Sequence, residues 1–395
     1  MKEREGGRAV KVVRVTTHDI SLNGLLRGQL RYLSEHGMDV VGVAADTGVL
    51  DDVRSREGVR CIDLPMHREV SLRADLRSLR AMIKLLRRER PHIVHANTPK
   101  GSLLAMVAAW YTRVPVRIYT VTGLRFETAT GTFRRILKLM ERITCRCATE
   151  VIPEGDGVAR TLRREHITRK PLRKIHNGNI NGVDTAHFDP TLPELVAPAA
   201  EMRRRLAEGS DGAVTTFVFV GRMVRDKGIN ELVDAFNTVH AANPATRLLL
   251  VGRFEDALDP VLPATRLRID QGQGILAVGQ LSDVRPALLA SDVLVLPSYR
   301  EGFPNVVLEG AAMGLPVIVT DVNGADEVIT PGQNGLIIPR RDTAALAAAM
   351  TALAADPARR AALAAAARPV ITTRFSRPDV WAQTLSRYQS LLPTQ

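Results

Sequence analysis

Glu301 and Glu309 bracket seven residues that begin Gly302-Phe303-Pro304. An apolar run ending at Pro297 precedes them, and a helical stretch closed by Gly314 follows. Pro304 thus falls where a first helical turn begins, a position proline tolerates because its missing N–H would have no partner there. Backbone N–H groups around Phe303, Asn305 and Val306 then lie at a helix N-terminus, an arrangement suited to a phosphate or diphosphate. Both carboxylates border that opening and can accept hydrogen bonds from sugar hydroxyls.

A second group has the complementary charge. In FVFVGRMVRDKGINELVDAF, residues 217–236, Gly221 and Arg222 end a strand, and Lys227 and Gly228 open an amphipathic helix. Arg222 and Lys227 can neutralise a departing diphosphate without a metal. Isolated from the glutamate segment, such a pair would read as ordinary surface charge. Two further segments, VGRFEDALDP at 251–260 and VGQLSDVRPALLASDVLVLPS at 278–298, place Arg253 and Leu281 after strands as well.

These residues need elements that bring strand ends together. Short β-branched runs alternate with longer helical stretches, the pattern of βαβ units and parallel sheets. Strands are expected over 10–15, 39–44, 93–95, 116–119 and 150–153, and again over 215–220, 247–251, 275–278, 293–297 and 317–320. At 395 residues the chain has room for about two domains of 150–200 residues. The Pro- and Gly-bearing stretch 189–211 reads as a linker with one helix, which sets the boundary near residue 195. The expected domains are 1–195 and 196–377, with a C-terminal helix at about 378–395 packing back on the first. Doubly wound sheets bind ligands beyond the carboxyl ends of their strands, so two facing sheets would enclose a cleft.

Composition narrows the class. Residues 1–190 carry 34 Lys+Arg against 21 Asp+Glu, a net +13, while the remainder nets −1. Such asymmetry favours an anionic partner for the first half. Aromatic residues make up only 4%, leaving few stacking platforms for nucleic acid, and no recognition motif appears. Three cysteines without metal-ligand spacing suit a reducing, cytoplasmic setting. The N-terminus lacks a signal-like apolar stretch, and no run of about 18 apolar residues exists to span a bilayer.

Together, Glu301-Gly302-Phe303-Pro304 with Glu309, and Arg222 with Lys227, resemble the paired-glutamate motif and the Arg and Lys pair of retaining glycosyltransferases of family 4. That resemblance runs from about residue 10 to residue 375. It implies an α/β, GT-B fold: two doubly wound Rossmann-like domains facing across a cleft. It further implies a retaining, metal-independent sugar transfer with no cofactor beyond the nucleotide-sugar co-substrate, UDP-linked by expectation. Glu301 would contact the donor sugar and Glu309 the ribose, with Arg253 and Leu281 beside the base.

In the first half, Gly24 stands where the family has a glycine loop near the donor phosphates. The segment VHANTPKGSLL, residues 94–104, is similar to one in bacterial members that extend lipid-linked glycans, and implies acceptor contacts from His95, Asn97 and Lys100. Thr122, in TVTGLRFE, replaces a histidine that many relatives carry and that faces the sugar. Threonine cannot shuttle a proton near neutral pH. The implied partners are a nucleotide-sugar, a polyprenyl-diphosphate-linked or other surface-glycan acceptor, and an anionic membrane surface. Two basic amphipathic segments, 72–90 and 133–143, carry much of the excess charge and fit a peripheral position at the inner face of the plasma membrane. Their alternative reading is an apolar stripe packed on the sheet and a basic face in water. Rival functions are a sugar-nucleotide epimerase or phosphorylase on the same fold, and a basic nucleic-acid-binding protein.

Overall fold

The computed structural model describes residues 9–66, 71–210, 212–256 and 259–392, apart from the side chain of residue 72. The polar N-terminal residues 1–8 and the last three of the expected C-terminal helix lie outside these. The chain divides into two units, Met1–Gly182 with Arg377–Gln395, and Val183–Ser376.

Each unit is built on six parallel strands. In the first they are β1 (Val10–His18), β2 (Met38–Ala45), β3 (Arg60–Asp63), β4 (Ile93–Ala96), β5 (Val116–Val121) and β6 (Glu150–Pro153), in the order β3-β2-β1-β4-β5-β6. In the second they are β7 (Thr215–Val220), β8 (Thr246–Val251), β9 (Ile275–Gly279), β10 (Val293–Leu296), β11 (Val317–Thr320) and β12 (Gly335–Ile338), in the order β12-β11-β10-β7-β8-β9. The central strands are continuous apolar runs because helices cover both faces of a parallel sheet; Val293, Leu294 and Val295 of β10 are all fully buried. Strand order reverses between β1 and β4 in one unit and between β7 and β10 in the other. Loops following those four strands are therefore the places where a doubly wound sheet presents its ligand site.

Expected and observed boundaries differ. The second unit begins at Val183, not near 195, because Val183 bridges to Ser376 and its N–H bonds to the Phe375 carbonyl at 2.8 Å. The presumed linker contributes the helix Pro193–Ala207, whose Leu195, Ala199 and Leu206 are buried in the second core. Proline and glycine marked the ends of that helix rather than a flexible join.

The last helix, Arg377–Leu391, packs on the first unit. Its Tyr388 is fully buried beside Arg14 of β1 and His95 of β4, which are register partners. Arg14 Nη1 donates to the Tyr388 hydroxyl at 2.6 Å and to His95 Nδ1 at 2.9 Å. The Tyr388 hydroxyl donates to the same Nδ1 at 2.5 Å. Nδ1 is therefore an acceptor, and the ring proton sits on Nε2, which donates to Thr120 Oγ1 at 2.7 Å. Burial, with Arg14 adding to it, pushes the His95 pKa well below the usual histidine range and keeps the ring neutral. Tyr388→Phe should cost about 1–3 kcal/mol in urea unfolding, since it removes an acceptor from a buried guanidinium whose Nε and Nη2 already lack partners.

Candidate active site

In the second unit the site grows from the ends of β7 and β10. The connection after β7 closes in a short 3-10 turn, Arg225–Lys227, capped by Gly228 at φ +71°. Gly228 also caps the following helix, Ile229–Ala242. A Cβ added to Gly228 would lie 2.1 Å from the Pro297 carbonyl oxygen, so glycine alone lets this turn press against the end of β10. The approach brings Lys227 to the next loop: its Nζ donates to Glu301 Oε1 at 2.5 Å, with both side chains mostly buried. A cation after β7 thus meets a carboxylate after β10, across the point where strand order reverses.

Arg222 forms a second cluster. Its Nη1 donates to Glu255 Oε2 at 2.6 Å, and Arg253 Nη2 lies 3.6 Å from Glu255 Oε1. Glu255 is only 11% exposed, so one partly desolvated carboxylate organises two guanidinium groups. Sequence reasoning missed Glu255. It sits two residues after Arg253 in the loop following β8, where the rule of searching strand ends would have found it. The Gly252 N–H bonds to the Gly279 carbonyl at 2.8 Å and ties this loop to the one after β9 that carries Leu281. Arg222 and Lys227, expected to neutralise a diphosphate, each hold a carboxylate in this structure. Counting Lys227, Arg222 and Arg253 against Glu301 and Glu255 leaves one net positive charge.

The glutamate segment is placed with one adjustment. The helix runs Asn305–Ala312, and Pro304 is its N-cap residue rather than part of its first turn. Gly302, Phe303 and Pro304 are buried, with the Phe303 ring 5.6 Å from that of Phe375. Phe303 and Pro304 therefore serve as packing, and what this segment can offer a ligand is backbone. The first N–H groups of a helix have no carbonyl four residues back, and the positive end of the helix dipole favours an anion there. Glu309 lies half-buried one turn into the same helix.

In the first unit the structure joins Asn97 and Thr122 and parts them from His95. Thr122 Oγ1 donates to the Asn97 carbonyl at 2.6 Å, after β5 and β4 respectively. The Asn97 side-chain amide is buried and has no hydrogen-bond partner among the described residues. Lys100, in the first turn of the helix Pro99–Tyr111, pairs with Asp75 at 2.6 Å. His95 is not an acceptor residue: it is 1% exposed and both ring nitrogens are engaged. Gly24 is likewise corrected. The chain turns directly from β1 into the helix Asp19–Leu25, and Gly24 lies in that helix, exposed and with open space where a Cβ would stand.

Beside Lys100 lies a groove of about 40 Å³, lined also by Arg125, Phe126, Phe133, Leu137, Met140 and Glu141. Glu141 accepts from the Tyr119 hydroxyl at 2.7 Å, yet burial outweighs that bond and pushes its pKa from 4.5 to about 7. A carboxyl whose folded pKa lies above its unfolded value makes folding less favourable as pH rises between the two. Stability should fall from about pH 4.5 to about pH 7 and level off above, by on the order of 3 kcal/mol. Glu141→Gln keeps a neutral partner for Tyr119, so its melting temperature should show much less of this decline and exceed that of the unmodified protein at pH 8.

Comparison with known proteins gives the family and the fold. Residues 214–356 match the family model described as Glycosyl transferases group 1, and residues 25–178 match the Glycosyl transferase 4-like domain. The chain belongs to this glycosyltransferase family. A capsular polysaccharide biosynthesis glycosyltransferase, CapM, of Staphylococcus aureus is 31% identical over 93% of this chain and 94% of its own. The UDP-Gal:alpha-D-GlcNAc-diphosphoundecaprenol alpha-1,3-galactosyltransferase of Escherichia coli is 27% identical over 81% of this chain and 82% of its own. Among solved structures, Anabaena HepE in complex with UDP-glucose superposes with a TM-score of 0.78 at 17% identity, over 97% of this glycosyltransferase and 100% of that chain. The shared architecture is GT-B.

Proposed function

We propose that this glycosyltransferase moves a sugar, with retention and without a metal, from a UDP-linked donor to a polyprenyl-diphosphate-linked or similar bacterial surface-glycan acceptor, at the cytoplasmic face of the plasma membrane. The observation that carries the reading is the Lys227–Glu301 pair, 2.5 Å apart where the sheet order reverses, beside the N-terminus of the helix Asn305–Ala312. On donor binding, Lys227 and Arg222 turn from their carboxylates to the diphosphate, together with the N–H groups of Asn305 and Val306. Glu301, so released, orients the sugar hydroxyls, and Glu309 holds the ribose. Arg253 and Leu281 stand beside the base, while Asn97, Lys100 and Thr122 meet the acceptor.

The bond from the anomeric carbon to the phosphate oxygen breaks, and a bond from the acceptor oxygen to that carbon forms on the same face. The departing phosphate oxygen takes the acceptor's proton, so Thr122 need not shuttle one. The names of the relatives support the donor and acceptor classes, in one case a UDP-sugar with a lipid diphosphate and in the other a capsular polysaccharide. Incubation with UDP-sugars and a lipid-diphosphate-linked saccharide in EDTA tests the reading, with NMR of the product's anomeric centre. An inverted product, or transfer that requires a divalent ion, would overturn it. Conversion of the nucleotide-sugar without any acceptor would favour the epimerase.

A further inference from the structure

The helix Gly131–Cys147 leaves much of its apolar surface uncovered. Phe133, Ile136, Leu139 and Ile143 are each 39% exposed or more, and at these spacings a 3.6-residue period puts them on one side of the helix. Its opposite side supplies the buried Leu137, Glu141 and Cys145. Trp110 and Tyr111, at the end of the neighbouring helix Pro99–Tyr111, are also exposed. Of the eleven large apolar side chains exposed among the described residues, these make six, and Leu76 of the adjoining helix Leu72–Glu89 makes a seventh.

This band has basic margins. Arg135, Arg142 and Arg146 are exposed on the next strip around Gly131–Cys147, and Arg77, Arg80, Lys84 and Arg87 on Leu72–Glu89. The Arg87 guanidinium lies 5.4 Å from the centre of the Tyr111 ring. The two basic helices therefore differ. Leu72–Glu89 turns Met82, Leu85 and Leu86 into the core and exposes one large apolar side chain, Leu76, among its described residues, whereas Gly131–Cys147 presents four outward together with its arginines.

We propose that this apolar band with its arginine margins is the surface on which the glycosyltransferase lies on an anionic bilayer, with Gly131–Cys147 in the interface plane. Exposed apolar residues gathered on neighbouring helices mark an interaction surface. A second copy applied face to face would oppose arginine to arginine, whereas anionic headgroups complement the margins while Phe133, Ile136, Leu139 and Trp110 enter the acyl boundary. Phe133 also lines the groove beside Lys100 and Arg125. A lipid-linked acceptor could thus bring its diphosphate to those cations while its tail stays among apolar side chains. That consequence rests on the acceptor reading above; the docking surface does not.

Co-sedimentation of the full chain with vesicles, free of any acceptor, tests the surface. Phosphatidylcholine vesicles containing phosphatidylglycerol should bind it about tenfold more tightly than phosphatidylcholine alone. Ile136→Asp with Leu139→Asp, and separately Arg135→Glu with Arg146→Glu, should each weaken binding about tenfold or more while melting temperature and UDP binding stay unchanged. A blue shift of tryptophan fluorescence on the mixed vesicles, lost in Trp110→Phe, should accompany binding. Absence of wild-type binding, or binding by both double variants as tight as the wild type's, overturns the proposal. So does a wild-type dimer that fails to bind vesicles and that Ile136→Asp with Leu139→Asp dissociates. Because UDP binding is read separately, loss of membrane binding is distinguishable from loss of the donor site.

Discussion

Lys227→Ala is expected to lower kcat for sugar transfer by about 10²- to 10³-fold, the scale of removing one preorganised charge from a transition state. Two effects add. The departing diphosphate loses a cation, and Glu301, 14% exposed, becomes an unbalanced carboxylate beside the incoming phosphates. Lys227→Arg should rescue little, because a planar fork does not fit where a point charge meets a single carboxylate oxygen at 2.5 Å. Melting temperature should also fall, because the carboxylate left unpaired is largely buried. Steady-state kinetics at saturating donor, with unfolding measured in parallel, separate this outcome from simple misfolding.

Gly228→Ala should produce the largest loss of stability among the substitutions considered, about 3–4 kcal/mol in denaturant unfolding. Two costs coincide there. The backbone at φ +71° disfavours any side chain, and the new Cβ would meet a backbone oxygen at 2.1 Å, which cannot swing away as a side chain would. The strand end must shift, and with it the distance between Lys227 and Glu301, so activity should fall in whatever fraction remains folded. Gly24→Ala is the control: that residue is helical and has open space, so stability should hold or rise slightly.

The contrast between these two glycines shows what local pattern can and cannot convey. Alternating strand and helix periods marked ten of the twelve strands, the edge strands β6 and β9 included. β3 and β12 went unrecognised because their apolar runs are cut short: Arg60 and Asp63 bound one, and Gly335 opens the other. The rule that ligand residues follow strands located Lys227, Arg222, Arg253 and Glu301, since it derives from sheet topology alone. It could not reveal that Glu255 joins Arg222 to Arg253, a relation between separate loops. His95 misled for a similar reason. Its type and its place at the end of β4 suggested a ligand contact, whereas Tyr388 reaches it from a helix 293 residues further along the chain. No local signal announces a contact of that range.

Binding of UDP and UMP, measured by calorimetry in EDTA for the wild type, Lys227→Ala and Arg222→Ala, tests most directly whether one diphosphate is held by these groups. UDP should bind the wild type about tenfold or more tighter than UMP, and each substitution should shrink that gap while leaving UMP binding nearly unchanged. Equal affinity of the wild type for both nucleotides, or an undiminished gap in both variants, would contradict it.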